Sequence, residues 1–203
     1  MPILFLIRHG ETAYIGKRLT GCTPGVHLVQ RGEEQARQIA ESLKTSNFKA
    51  IYSSPLERAM ETAQPLAIQQ NKKIIQFNGL LEVDFGLWTG KSFRWLHRQP
   101  QWKDLHDNPR FQFPGGDSLP AVRRRVAKTL DEISRKHGKK DLVALFTHCD
   151  IVRYSVEHAL GMPPGGFHKL AVDTASLTIV RFQDGKISLL GFNLKLPYQL
   201  PDF

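Results

Sequence analysis

Long apolar runs are missing from this 203-residue chain. No stretch approaches the roughly 20 residues that a membrane-spanning helix needs. Met1 to Ile7 is apolar but runs directly into Arg8-His9-Gly10-Glu11, with no basic flank and no small-residue cleavage site. A cytoplasmic protein that does not engage a membrane is expected. Cysteine is scarce: Cys22 and Cys149 form no C-x-x-C pair and no disulfide framework, so reduced thiols are expected. No H-E-x-x-H or comparable ligand spacing occurs, so neither a metal nor another cofactor is expected. Internal repeats, low-complexity tracts and Gly/Ser linkers are also lacking, and one domain over 1–203 accommodates the length.

Positive charge is what the chain has in excess. The formal net charge is +9, which suits an anionic partner without choosing among nucleic acid, membrane surface and phosphorylated metabolite. The densest run, Arg123-Arg124-Arg125, falls inside a helical pattern and reads as a solvated face.

Strands and helices alternate, as in an α/β sheet. Ile3 to Ile7, Lys49 to Ser53, Ile74 to Phe77 and Asp141 to Phe146 read as strands, the first and last as buried ones. Ala36, Ile39, Ala40 and Leu43 mark one helix. Leu119, Val122, Val126, Leu130 and Ile133 mark another, from about Ser118 to His137. Ser54-Pro55-Leu56-Glu57 opens a helix with Ser54 as N-cap, and Pro65 should kink or split it. Ile151 to Leu160 reads as a helix, and Ser176 to Phe182 and Lys186 to Phe192 as strands about the turn Gln183-Asp184-Gly185. The tail from Leu194 is apolar and packs either on its own domain or on a neighbour.

Three reactive candidates occupy equivalent places. Arg8 and His9 follow the first strand, Arg58 lies in the first turn after the second, and His148 follows the strand Asp141–Phe146. Ligands of open α/β sheets bind at the carboxyl ends of the strands, so these residues converge on one rim.

Leu6-Ile7-Arg8-His9-Gly10-Glu11-Thr12 resembles the signature of the histidine phosphatase superfamily, which includes the cofactor-dependent phosphoglycerate mutases. Ser53 to Ala59 followed by Thr62-Ala63, Leu80 to Gly90, Pro114 to Ser118, and Thr147-His148 resemble its later motifs in family order. The resemblance implies a three-layer sandwich with a mostly parallel central sheet flanked by helices. Residues 92–116 would form a lid-like insertion over the strand C-terminal ends. It implies His9 as nucleophile, Arg8 and Arg58 as ligands of the phosphoryl oxygens, His148 as a stabiliser of transition-state charge, and Glu82 as proton donor and acceptor. Asp84, two residues on, competes with Glu82 for the acid role, whereas Glu11 reads as a structural carboxylate. Most of the other histidines, His27, His97, His106, His137, His158 and His168, read as surface or loop residues.

The chain also departs from the family. Ile15 stands where an asparagine often helps to bind phosphate, and Thr20-Gly21 resembles the next contact and can compensate. Cys149-Asp150 follows the second histidine in place of small residues. Cys149 is grouped with the phosphate-binding residues, and Asp150 is expected to cap the following helix, the alternative being that it reads a donor or cation on the substrate. His148-Cys149 resembles the start of the cysteine phosphatase loop, but Ser155 stands where that loop needs arginine, so cysteine chemistry is rejected.

The resemblance, with the short chain and Gly115-Gly116-Asp117-Ser118, points to the phosphatase branch and to hydrolysis of a small phosphorylated substrate through phosphohistidine. A phosphosugar, phosphoglycerate or a nucleotide-like ester such as α-ribazole phosphate all fit. Cofactor-dependent phosphoglycerate mutase is the alternative, and a catalytically silent phospholigand- or RNA-binding protein is a more distant one. No nucleic-acid partner is expected. The aromatic and basic residues between Ser92 and Phe113 serve either substrate stacking or a satellite core, and the oligomeric state is open.

Overall fold

The computed structural model describes residues 2–183 and 186–201, the side chain of His106 excepted. A six-stranded sheet organises the chain. In sequence order the strands are β1 (Ile3–Arg8), β2 (Phe48–Ser53), β3 (Ile74–Gln76), β4 (Leu142–Thr147), β5 (Leu177–Gln183) and β6 (Lys186–Leu194). They lie in the order β3-β2-β4-β1-β5-β6. The pairings β3–β2, β2–β4 and β4–β1 are parallel, while β1–β5 and β5–β6 are antiparallel. The turn residues Asp184 and Gly185, proposed above to join β5 and β6, lie outside the described residues.

Strand alternation divides the apolar side chains between two faces. Leu4 and Leu6 of β1 enter one core with Val122, Val126, Leu130 and Ile133 of helix α5 (Leu119–Arg135) and Ile151 and Val152 of helix α6 (Cys149–Ala159). Ile3, Phe5 and Ile7 enter the other with Ile39 and Leu43 at helix α1 (Gln30–Ser42) and Ala63 and Leu66 of helix α2 (Glu57–Gln69). Helices thus cover both faces of the sheet, the layering expected. The α5 stripe is buried throughout. Each such side chain contributes about 1.5–3 kcal/mol relative to exposure, so the stripe fixes the helix on the sheet.

Two short helices, α3 (Phe93–Leu96) and α4 (Pro100–Asp107), occupy the segment between Ser92 and Phe113. Leu96, Leu105, Phe111 and Phe113 are buried, and the rings of Phe111 and Phe113 pack 5.6 Å from Trp88. The tail folds back on its own sheet: Leu196 and Leu200 pack against the second core, and the Tyr198 hydroxyl donates to the Ala175 carbonyl at 2.6 Å.

Pro65 does not divide its helix. Helix α2 runs unbroken from Glu57 to Gln69. Thr62, Ala63, Leu66 and Ala67 are buried on both sides of the proline, and this packing outweighs the loss of one backbone hydrogen bond, about 3 kcal/mol in an exposed helix. Ser54 does not cap α2 either. The cap position is Leu56, and Ser54 lies in the preceding turn. Arg123-Arg124-Arg125 is only partly a solvated face. Arg124 is exposed, but Arg123 pairs at 2.6 Å with Glu157, whose side chain is 1% exposed, and Arg125 is turned toward backbone carbonyls. Among the described residues, no helix is long and apolar enough to cross a membrane.

Candidate active site

The parallel ladders deliver three chain segments to one rim. Arg8 at the end of β1 is in register with Thr147 at the end of β4, and Ser53 of β2 with Phe146. The ladder bonds continue one residue past the strands, from His9 N–H to the Thr147 carbonyl and from Ser54 N–H to the Phe146 carbonyl, both at 2.9 Å. His9, Ser54 and His148 are placed side by side as a result, and the two imidazole centroids are 5.2 Å apart. A close backbone approach sets the turn after His9. A Cβ on Gly10 would meet the Gly32 carbonyl oxygen at 2.7 Å, so a side chain there would push α1 away.

His9 is 4% exposed, and its Nδ1 lies 2.8 Å from the Gly10 carbonyl oxygen. That carbonyl can only accept, so the proton sits on Nδ1 and Nε2 keeps its lone pair. Burial, reinforced by the charges of Arg8 and Arg58, holds the His9 pKa well below 6.5. The same causes lower His148: burial first, then Arg58, His9 and Arg8. Both rings are therefore neutral near pH 7.

Arg58, 1% exposed, donates from Nη2 to the Gly21 carbonyl at 2.6 Å and from Nη1 to the Thr23 carbonyl at 3.3 Å. Gly21 has φ +50°, and a Cβ there would meet the Val83 carbonyl oxygen at 2.9 Å. The Arg58 carbonyl accepts from the Thr62 hydroxyl, which accepts in turn from Gly10 N–H, tying α2 to the turn after His9. Arg8 donates from Nη1 to the Val172 carbonyl at 2.6 Å. His148 Nε2 lies 2.8 Å from Ser54 Oγ. Three buried nitrogens about His9 have no partner among the described residues: Arg8 Nε, Arg58 Nε and His148 Nδ1. Leaving such a group unpaired costs about 1–3 kcal/mol, more for a charged one, a cost that an anion bound here would relieve.

Glu82 and Asp84 are separated clearly. Glu82 is 8% exposed, whereas Asp84 is exposed and accepts from Gly86 N–H. Burial, with the nearby Asp150 carboxylate, pushes the Glu82 pKa up to about 7, against the pull of a Val83 N–H bond and of Arg58 and Arg8. Arg125 holds this segment by donating to the carbonyls of Leu81 (2.5 Å), Glu82 (3.2 Å) and Gly79 (3.3 Å).

A cavity of about 420 Å³ opens at this rim, lined by Arg8, His9, Thr20, Gly21, Glu82 and Cys149 among others. Arg58 and His148 are more deeply buried and do not line it. Ile15 does, so the position that departs from the family pattern faces the site. Phe93, Trp102, Leu105 and Phe113 of the 92–116 segment form part of its wall, so that segment provides both a satellite core and a cavity face. Burial raises the pKa of both Cys149 and Cys22 to about 11, which leaves them as inert thiols. Glu11 pairs with Arg31 at 3.3 Å, in keeping with a structural role. Among the described residues, no three His, Cys, Asp or Glu side chains gather as metal ligands.

Asp150 is not the helix cap. The cap position of α6 is His148, and the Asp150 carboxylate in the first turn pairs with Arg153 Nη1 at 2.9 Å. A guanidinium three residues along the helix satisfies it better than backbone N–H groups. Sequence reasoning missed several residues: Ser54 as the His148 partner, Arg125 as the brace of Glu82, and Arg153, Tyr154, Phe167 and His168 in the cavity wall. Helical spacing from Asp150 could have pointed to Arg153 and Tyr154, which share its helix. His27, His97 and His158 are exposed as expected, and the His106 side chain lies outside the described residues.

Fold and rim define an α/β protein with a desolvated, electropositive centre at the ends of its parallel strands. The profile of the histidine phosphatase superfamily (branch 1) matches residues 4–195, and the chain belongs to that enzyme family. It is 28% identical over 201 residues to phosphoserine phosphatase 1 of Hydrogenobacter thermophilus, covering 96% of this chain and 93% of that protein. It is 29% identical over 194 residues to a 2,3-bisphosphoglycerate-dependent phosphoglycerate mutase of Thermoplasma acidophilum, covering 94% and 92%. Among solved structures, a mutant phosphoserine phosphatase of Entamoeba histolytica in complex with phosphoserine superposes with a TM-score of 0.85 at 31% identity, covering 95% of this chain and 97% of that one.

Proposed function

We propose that the protein hydrolyses a small phosphomonoester without a metal, through a phosphohistidine intermediate on His9. One observation carries this reading: a buried neutral histidine with a free Nε2 is surrounded by unpaired nitrogens of Arg8, Arg58 and His148. An incoming phosphoryl group satisfies those nitrogens, and two arginines supply the charge that a metal supplies elsewhere.

His9 Nε2 attacks phosphorus and the bond to the alcohol oxygen breaks. Glu82, protonated near neutrality, gives its proton to the departing oxygen. A water then attacks the phosphohistidine, Glu82 takes its proton, the P–N bond breaks, and phosphate leaves with His9 restored. The Ser54 hydroxyl donating to His148 Nε2 leaves the His148 proton on Nδ1, the nitrogen without a protein partner, which stabilises charge on the phosphoryl oxygens. Thr20, Gly21 and the first-turn N–H of Cys149 complete the phosphate cradle. Residues 92–116 close the cavity and select the alcohol.

The test is steady-state hydrolysis of an aryl phosphate in EDTA by wild type and His9→Ala. Turnover that survives chelation and vanishes in the variant supports the reading, and activity retained by the variant overturns it. The similarity to a mutase favours one second reading. Phosphoryl exchange between phosphoglycerates without hydrolysis would establish it.

A further inference from the structure

Beyond Arg8, His9 and Glu82, the charged side chains that line the cavity are engaged within the protein. Asp150 pairs with Arg153 at 2.9 Å, Arg153 Nε donates to the Leu170 carbonyl at 2.8 Å, and Arg18 donates to the Gly90 carbonyl at 2.9 Å. Ile15, Leu19, Phe93 and Trp102 line the same cavity and are half-buried, so they present apolar surface to it. Two segments remote in sequence make this apolar wall. Ile15 and Leu19 follow β1, whereas Phe93 and Trp102 belong to α3 and α4. Backbone bonds stitch the two together: Leu19 N–H to the Lys91 carbonyl at 3.0 Å, Gly90 N–H to the Leu19 carbonyl at 2.6 Å, and Phe93 N–H to the Lys17 carbonyl at 3.2 Å. Leu19, Phe93 and Trp102 also pack on the core, the Trp102 ring 5.9 Å from Trp88 and 6.3 Å from Phe93. The wall is therefore fixed before a ligand arrives, and binding need not order a loop.

We propose that the cavity selects phosphomonoesters of uncharged, apolar alcohols, whose carbon skeleton lies against Ile15, Leu19, Phe93 and Trp102. Size supports the assignment. The cavity of about 420 Å³ falls in the range, roughly 300–1,000 Å³, of pockets that enclose drug-sized ligands, and a phosphate on a two- or three-carbon alcohol leaves much of it unfilled. Ile15 supports it as well. Where the family often has a phosphate-binding asparagine, this chain gives up a polar donor and adds carbon surface to the cavity. Burial of the alcohol against this wall is shared by the bound ester and the transition state, so it raises kcat/KM. A charged leaving group would instead have to shed its water beside side chains that offer it no hydrogen bond.

This assignment rests on the hydrolase reading above, and the test separates the two. The n-alkyl phosphates from ethyl to hexyl have leaving groups of nearly equal basicity and differ in apolar length. Wild-type kcat/KM is expected to rise about threefold per methylene, about 80-fold from ethyl to hexyl phosphate. Ile15→Asn and Trp102→Ala should each cut the hexyl to ethyl ratio by about 10-fold. A general loosening of the site would lower both esters alike and leave that ratio unchanged. A flat series in wild type with the aryl phosphate still hydrolysed, or a ratio unmoved in both variants, would overturn the assignment and leave the hydrolase standing. Calorimetric binding of ethyl and hexyl phosphonate, whose C–P bond is not hydrolysed, reads the wall independently of turnover. If no ester turns over, the hydrolase reading fails and the two phosphonates alone decide the wall: much tighter binding of the hexyl compound supports it, and equal affinities overturn it.

Discussion

Ser54 Oγ and His148 Nε2 lie 2.8 Å apart, joining the ends of two neighbouring parallel strands, β2 and β4. Ser54 Oγ also accepts from Leu56 N–H at 3.4 Å, which leaves its own proton available to the ring. Ser54→Ala removes the partner that fixes the His148 tautomer. The expected result is a loss of about 10-fold in kcat on an aryl phosphate, with stability falling by no more than about 1.5 kcal/mol in urea unfolding. Unchanged kcat would show that the serine merely fills space.

The pKa of Glu82 fixes the sign of the pH dependence. In the proposed mechanism Glu82 must be protonated to assist alcohol departure, and its pKa is raised to about 7, so kcat/KM for an alkyl phosphate should fall as pH rises through about 7. His9 is held below 6.5, so the acid limb lies below that value. Glu82→Gln should abolish the alkaline limb and reduce kcat/KM by about 10²–10⁴, with a smaller loss for nitrophenyl phosphate, whose leaving group needs no proton. Asp150→Asn removes a neighbouring negative charge, so the limb should move to lower pH. A limb unmoved by both substitutions would assign it to another group.

Arg125 holds the carbonyls of Leu81 and Glu82 without lining the cavity. Arg125→Ala frees the carbonyls of Leu81 and Glu82 and lets the acid drift. About a 10-fold loss of kcat is expected, larger for an alkyl than for an aryl phosphate, with KM nearly unchanged. Equal losses on both esters would mean a general loosening of the fold. The comparison is made by steady-state kinetics on the two esters.

The sheet was legible because its strands are short apolar runs and its helices carry apolar stripes at helical spacing, as from Leu119 to Ile133. The rim was legible because Arg8, His9, Arg58 and His148 each follow a strand. Partners that depend on side-chain direction were not. Ser54 looked like a cap because Ser-Pro-x-Glu is a common helix start, yet the strand ends bring it to His148 instead. Asp150 looked like a cap because its helix seemed to begin two residues later than it does, and only the start at Cys149 makes Arg153 its partner. The split suggested by Pro65 does not occur, because local propensity takes no account of the packing that carries α2 through it. Arg125 was hidden in a run of three arginines, where helical rotation, not composition, decides which one faces the protein.

The central claim is that phosphorus becomes bonded to His9, and trapping that bond tests it most directly. Protein quenched in alkali during turnover of an aryl phosphate should carry one phosphoryl group on the His9 imidazole, identified by peptide mass spectrometry. The adduct should be lost on brief acid treatment and be absent from His9→Ala. A phosphoryl group on Cys149 or on any other residue, or hydrolysis by His9→Ala at the wild-type rate, would contradict the account.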